Sequence, residues 1–386
     1  MKTASLSVMA PDLAGLVAAI FEKAGCSRKE SERIAHYLVG ANLTGHDSHG
    51  VVRVPRYVQM KQEGLVHADQ EVEVLVDTPV LAVVDGKYGF GQTVAPQAVE
   101  LGIAKCKQMG LAAVALRHAG HVGRVADWAE IAAAQGLVSI HFVNAAAGML
   151  VAPFGGVNRR FSTAPYCIGV PLPGRAPLLL DFATSTVAEG KVLVASQGGR
   201  PIPADALIGP DGITSDDPRL LYGEYRTGER RDIRKGLGAL RAFGAHKGSG
   251  LALMCEILGG ALTGNGCTGP DRRFSNGMFS LYVDPGRVDP EGLFPEEVTR
   301  YLAYVKGAKS AIPDNEILVP GEPEERSRRE RLSEGVPVAE ETWKFLLERQ
   351  NNIILEKACK EFQHGIKALE IDLCEIVDIN RLSQPA

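Results

Sequence analysis

Leu111-Ala112-Ala113-Val114-Ala115-Leu116, running into Arg117-His118-Ala119-Gly120-His121-Val122-Gly123-Arg124, is the stretch that sets the fold class. A run of small and apolar residues closed by glycine and charge reads as a short apolar strand. Immediately before it, Gln92–Met109 carries Val94, Ala98, Leu101 and Ala104 at helical spacing. Immediately after it, Val125–Gln135 reads as a helix and Val138–Val143 as a second apolar strand. Helix, strand, helix, strand over residues 92–143 predicts an α/β layer around a sheet.

Toward the N-terminus, Gly86-Lys87-Tyr88-Gly89-Phe90-Gly91 is a glycine-rich loop, and Glu71–Val76 with Val80–Asp85 predict a strand pair. Residues 4–40 predict two helices. Ser7 is placed to cap the first, with Leu13, Leu16, Val17 and Ile20 on its apolar face. Ser27 and Glu30 form a capping box for the second, which carries Ile34, Ala35, Leu38 and Val39. Toward the C-terminus, residues 153–177 are loop-rich, with prolines at 153, 165, 171, 173 and 177. Leu178–Phe182 has a buried-strand pattern, and Thr186 with Glu189 predicts a capping box before a short helix. Residues 196–240 read as surface excursions. Leu251–Leu262 is a helix interrupted only by Glu256 and is predicted to be buried. Phe279–Val283 is a further strand. Glu324–Arg331 mixes acids and bases as a solvated helix does. Helical character is predicted for 338–348 and 353–369, with a tail from 370 to 386.

The chain has 386 residues, which predicts two domains. A net charge of −4 and 23% charged residues point to no nucleic-acid or membrane partner. No uncharged apolar run of roughly 18 residues, the length of a membrane span, occurs, and Met1–Ala10 lacks the pattern of a signal peptide. Seven scattered cysteines without a CxxC argue against a disulfide framework or structural zinc, and fit a reducing, cytoplasmic setting.

Chemistry-bearing residues concentrate in a few places. Leu43-Thr44-Gly45-His46-Asp47-Ser48-His49-Gly50-Val51-Val52-Arg53-Val54-Pro55-Arg56-Tyr57 is the densest. On a continuous helix, His49, Arg53 and Tyr57 would share one face: a proton donor, a fork-shaped cation and a phenol. That set suits a small acid with a neighbouring carbonyl or hydroxyl, although a polar helix start with solvated arginines reads the same way. His118 and His121 leave a strand among glycines, where an imidazole is readily tuned toward neutrality. His246-Lys247-Gly248-Ser249-Gly250 opens a helix and suits a phosphate, or is a plain helix start. Asp181, Thr184 and Ser185 stand at a strand-to-helix edge, where α/β sheets bind ligands or merely cap helices. Gly264-Asn265-Gly266-Cys267-Thr268-Gly269 matches GxGxxG. It follows a helix and leads into Pro270, so it reads as a helix terminus and not as a dinucleotide turn. The HxxH pairs at 46–49 and 118–121 lack further ligands at standard spacing, so no metal is predicted.

Five blocks taken in order carry a resemblance. They are Asp47-Ser48-His49-Gly50 with Arg53 and Tyr57; His121-Val122-Gly123; Val151-Ala152-Pro153-Phe154-Gly155-Gly156; Leu180-Asp181-Phe182-Ala183-Thr184-Ser185; and Lys247-Gly248-Ser249-Gly250-Leu251-Ala252-Leu253. Over roughly Ser7 to Leu347 the chain resembles the malate/L-lactate dehydrogenase family of the non-Rossmann type. That family includes L-sulfolactate dehydrogenase, ureidoglycolate dehydrogenase, 2,3-diketogulonate reductase and Δ1-piperideine-2-carboxylate reductase.

The resemblance implies an α/β fold with a non-Rossmann nicotinamide-binding sheet domain (81–314). A mainly helical domain would come from 1–80 with 315–386, in a homodimer. It implies hydride transfer between NAD or NADP and a small carboxylate, either a 2-oxo/2-hydroxy acid or a cyclic imino acid. His49 matches the family's proton donor and His121 a second acid/base histidine. Ser48, Arg53 and Tyr57 match pocket positions. Asp181, Phe182, Ala183, Thr184 and Ser185, then His246 and Lys247, then Pro320, Gly321 and Glu322 match cofactor-contacting segments. Thr163 falls in a departure: Ser162-Thr163-Ala164-Pro165 stands where the family commonly has Gly-Thr-Asn-Pro. Losing that Asn removes an amide from the cleft. The alternatives are a non-redox histidine hydrolase or lyase, and a phosphate-ligand binding protein.

Overall fold

The computed structural model describes residues 5–349 except 199, 227, 228, 230 and 314. The segments 353–369 and 370–386 lie outside the described residues. Among the described residues the architecture is mixed α/β with three sheets and no closed barrel.

The largest sheet has seven strands, in the spatial order Glu73–Asp77, Leu81–Asp85, Leu111–Ala119, Asn276–Val283, Val138–Ala145, Pro165–Val170, Leu178–Ala183. Leu81–Asp85 and Leu111–Ala119 run parallel. Every other neighbouring pair is antiparallel. A Rossmann sheet is mostly parallel, so the GxGxxG spacing has no dinucleotide fold around it. Gly264 and Gly266 take φ of +79° and +87° directly after a helical segment, as a helix terminus requires.

Side-chain alternation builds the core. Along Asn276–Val283, Met278, Ser280 and Tyr282 are buried on one face. The helices Gly91–Met109 and Ala126–Ala134 pack on the sheet, and Trp128 and Tyr282 share their main cluster. Gly102 lets Tyr282 in: a Cβ there would lie 2.3 Å from the ring. On the opposite face Gly277 meets Gly259. His141 is fully buried between Ser139 and Ser280, with ring nitrogens 3.0 and 2.8 Å from their hydroxyls.

A second cluster joins Ala10–Lys23, Arg28–Leu43 and Val54–Gln62 to Val336, Val338 and Leu346. Ser5–Val8 pairs antiparallel with Val336–Ala339, and residues 340–349 are helical. Ser7 is therefore a strand residue. Met9, not Ser7, precedes the first helix, without a side-chain cap. Ser27 does cap the second, accepting from Glu30 N at 3.2 Å. The reciprocal half of the box is missing, because the Glu30 carboxylate accepts from Asp69 N and Thr93 Oγ1 instead.

Four other expectations change. Pro165–Val170 is a strand inside the segment read as loop, since proline there opens the strand. Leu178–Ala183 is an edge strand, with Leu180 exposed. Residues 196–240 build a third core around Leu207, Leu221, Tyr222 and Leu240, beneath a four-stranded sheet. The helix His246–Cys255 passes into a π-helix, Glu256–Leu262, and Leu253, Met254, Ile257 and Leu262 are exposed at 41–58%. Glu256 points inward and accepts from Ser162, Thr268 and Asn144. No helix among the described residues is long and apolar enough to cross a membrane.

Candidate active site

The 43–57 stretch is not one helix. Arg28–Leu43 ends, then two 3₁₀ turns, Asp47–His49 and Val51–Arg53, lead into Val54–Gln62. Gly50 is the joint, and a Cβ on it would lie 2.1 Å from Asn42 Oδ1. Asn42 pins both sides, accepting from Val51 N at 2.8 Å and donating to Asp47 Oδ1 at 2.6 Å. Arg331 holds Asp47 from the helix Glu322–Glu334, and His46 Nε2 meets Glu324 at 3.2 Å.

This loop carries His49 to His121. The rings stack at 5.6 Å between centroids and 15° between planes. Ser48 Oγ lies 3.0 Å from His49 Nδ1. Tyr57 OH lies 2.6 Å from His121 Nδ1. Gln92 Nε2 donates to Tyr57 OH and to the His121 carbonyl, each at 3.3 Å. Arg53 Nε donates to the Ser48 carbonyl at 2.5 Å, and Nη2 is 3.9 Å from Glu189 Oε2.

The electrostatics follow from that crowding. Burial, then His121 and Arg53, holds the His49 imidazole well below its ordinary pKa. Burial and Arg53 bring His121 down to about 3. Burial pushes the Tyr57 phenol up to about 12, so its proton stays on to bond the neutral His121. Both imidazoles are therefore neutral near pH 7, and a neutral imidazole accepts protons.

His118 does not join them. It holds φ +51°, meets Asp85 at 2.9 Å alongside Arg117, and stacks on Tyr88. Its part is to lock the strand exit.

The other segments gather around Phe243. Phe182 packs edge-on against it at 5.2 Å, the Phe243 N–H donates to the Thr184 carbonyl, and Ser185 bridges to Ala242. Thr184 Oγ1 donates to the carbonyls of Thr163 and Ala164. His246–Cys255 starts just beyond, with His246 and Lys247 exposed in its first turn. Ala183, Thr184, Ser185, Thr163 and Lys247 thus belong to one region. A cation at an open helix start is a donor set that fits phosphate.

Thr186 is not the predicted cap: its hydroxyl donates to the Arg241 carbonyl, and Ala188 precedes the helix Glu189–Ser196. Asp181 caps a different helix, accepting from Ala126 N at 2.8 Å. Pro320, Gly321 and Glu322 lie at the far end of the same edge strand, where the Pro320 carbonyl accepts from Leu179 N. Glu322 pairs with Lys306 at 2.6 Å. A groove of about 450 Å³ runs beside them, lined by Arg175, Pro177, Arg326 and Arg329 among others, and not by His49, His121 or Arg53. Among the described residues no three His, Cys, Asp or Glu side chains converge to hold a metal.

Glu189, Tyr222 and Gln92 reach the site without having been singled out for it. Glu189 reads from sequence as a cap partner. Tyr222 comes from the segment read as excursions and donates to Glu189 Oε1 at 2.7 Å.

Comparison with known proteins gives the family. The family model described as malate/L-lactate dehydrogenase matches residues 8–347. Hydroxycarboxylate dehydrogenase B of Escherichia coli K12 is 36% identical over 353 residues, covering 89% of this chain and 93% of its own. Delta(1)-pyrroline-2-carboxylate/Delta(1)-piperideine-2-carboxylate reductase of Pseudomonas putida is 30% identical over 347 residues, 87% of this chain and 95% of its own. The solved structure of sulfolactate dehydrogenase from Methanocaldococcus jannaschii superposes with a TM-score of 0.77 at 29% identity, covering 90% of this chain and 97% of that one. The paired histidines, the mixed sheet and these likenesses together establish that the chain belongs to the malate/L-lactate dehydrogenase family and is an oxidoreductase.

Proposed function

We propose that the protein interconverts a small 2-oxo acid, or a cyclic imino acid, with its hydroxy or amino counterpart, using NAD or NADP. The observation that carries this reading is the His49–His121 stack with Arg53 beside it. Lys247 and the helix start at His246 would hold cofactor phosphate charge, with Thr163, Asp181–Ser185 and Pro320–Glu322 along the rest of its path. When bound, the nicotinamide supplies the redox chemistry.

The chain's own residues handle position and protons. Arg53 presents N–H groups beyond the one given to Ser48, and these suit a carboxylate. His49 is neutral in the free protein, so it takes the hydroxyl proton in the oxidising direction. In the reducing direction it delivers a proton to the developing alkoxide or nitrogen, a substrate carboxylate on Arg53 offsetting the cation that disfavours imidazolium. Ser48 orients its Nδ1. Tyr57 and Gln92 fix His121 beside it.

The unit formed by 1–80 with 315–386 would bring His49 and Arg53 to the sheet unit, 81–314. The exposed apolar side chains along 253–262 support a homodimer.

The test is a panel of 2-oxo acids and cyclic imines with NADH and with NADPH, followed at the nicotinamide absorbance band. Turnover by the wild type is expected. His49→Ala should lower kcat by about 10²–10⁴-fold with cofactor affinity near normal, and Arg53→Ala should act mainly on KM. Wild-type turnover in His49→Ala would remove the assigned donor. No nicotinamide oxidation across the panel, with chelator-sensitive ester hydrolysis instead, would favour a hydrolase.

A further inference from the structure

We propose that Glu189 selects the acids this cleft accepts, admitting monocarboxylates whose remaining substituent is neutral or donates a hydrogen bond and rejecting those with a second carboxylate or a sulfonate. The inference rests on the hydroxy-acid reading above and names its substrate class.

Glu189 is held in place from both sides. Its Oε1 accepts from Tyr222 OH at 2.7 Å, and its Oε2 lies 3.9 Å from Arg53 Nη2. Tyr222 is buried, and burial with the adjacent carboxylate raises its pKa, so it remains a donor. The backbone beside Glu189 is equally fixed. A Cβ on Gly190 would lie 2.6 Å from Ser48 Cβ and 3.8 Å from Arg53 Nη2, so this helix start sits directly against the His49 turn. Both Arg53 and Glu189 keep part of their side chains open, at 26% and 20%.

The charge balance then discriminates. Arg53 and Glu189 cancel. One substrate carboxylate on Arg53 leaves the cleft with one negative charge. A second anionic group would add another beside the Glu189 carboxylate, with the two imidazoles neutral. Two further guanidiniums act on Tyr222, and both are already engaged. Arg231 donates to Ser196 Oγ and O and to the carbonyls of Arg226 and Glu229, and it stacks over Tyr225 at 3.7 Å. Arg159 donates to the carbonyls of Leu221, Ile233, Gly236 and Gly238. A hydroxyl in place of the second anion would instead donate to Glu189. Rejection by an unpaired like charge is an effective way to separate near-isosteric ligands.

The experiment measures kcat/KM for pyruvate, hydroxypyruvate and oxaloacetate with the better nicotinamide cofactor, in wild type, Glu189→Gln and Tyr222→Phe. Gln keeps the shape and can still accept from Tyr222. The wild type should favour the two monocarboxylates. Glu189→Gln should raise the oxaloacetate-to-pyruvate ratio by about tenfold or more, through the KM for oxaloacetate. Tyr222→Phe, which frees Glu189, should move the ratio the same way by less.

Should Glu189→Gln turn over too slowly to assay, the change that malonate and acetate each produce in bound-NADH fluorescence, titrated to half-saturation, gives the same comparison. A ratio within twofold of wild type by either readout, or a wild type that prefers oxaloacetate, overturns the role of Glu189. A wild type that oxidises no nicotinamide with any of the three acids overturns the hydroxy-acid reading itself.

Discussion

His141 shows what burial alone does to one side chain. It contacts two serine hydroxyls and, among the described residues, no ion-pair partner, and burial brings its pKa down to about 3. In the unfolded chain it titrates near 6.5. Between those values the unfolded state binds the extra proton, so folding stability falls as pH drops from 6.5 toward 3, by about 1.4 kcal/mol per pH unit for this group. Asp127, pushed up to about 7 by burial, works in the opposite direction over much of that range. The clean measurement is therefore a difference: His141→Gln should be less stable than wild type at pH 7, with the gap closing by pH 4 in urea titrations. A gap that stays constant with pH would exclude a neutral buried His141. The pairing of His49 with His121 was legible only through the five-block resemblance, because a place among glycines at a strand exit marks His118 equally, and the fold sends that ring to Asp85 and Tyr88. Glu189 was not, because a glutamate three residues after a threonine reads as a cap. Only the tertiary fold brings Tyr222 to it.

Among the elements, the helix starting at His246 has an unusual entrance. Gly244 and Ala245 both take positive φ, and Ala245 combines φ +58° with ψ −122°. Alanine is strained there and glycine is not. Ala245→Gly should therefore stabilise the protein, by roughly 1 kcal/mol or about 2 °C in melting temperature, since relief of strain exceeds the added unfolded-state freedom. A lower melting temperature would mean that the methyl group makes a packing contribution larger than the strain.

Apolar period was a reliable guide to Gly91–Met109, Leu111–Ala119, Ala126–Ala134 and Val138–Ala145, where pattern and burial agree. It failed across 43–57, where Gly50 and its contact with Asn42 replace a continuous helix by two tight turns. It failed again at Leu251–Leu262, where apolar residues imply burial yet four of them face outward. The helix start at His246 was visible from glycine and lysine; the backbone strain behind it was not.

For the whole molecule, that outward apolar face gives a direct prediction. The wild type is expected to sediment as a dimer and the double variant Leu253→Lys with Ile257→Lys as a monomer; a dimeric variant would remove this face from the interface. The three cores were legible to different degrees. The first two are built on helices and strands whose apolar period is readable, although each is completed by a distant segment, Asn276–Val283 in the first and Val336 to Leu346 in the second; the third forms within residues 150–242 from segments rich in charge and turns, where no period marks Leu207, Leu221, Tyr222 and Leu240 for burial.

The middle of the large sheet has its own consequence for how the chain matures. Leu111–Ala119 and Val138–Ala145 never pair with each other; Asn276–Val283 stands between them. On a ribosome, two nascent β-edges therefore wait for a wedge that emerges only after Ala145 has been followed by everything up to Asn276, a delay on the order of ten seconds at ordinary elongation rates. During that interval their ladders are open to any passing strand, which makes early termination before the wedge a route to aggregation and gives chaperones a defined client window.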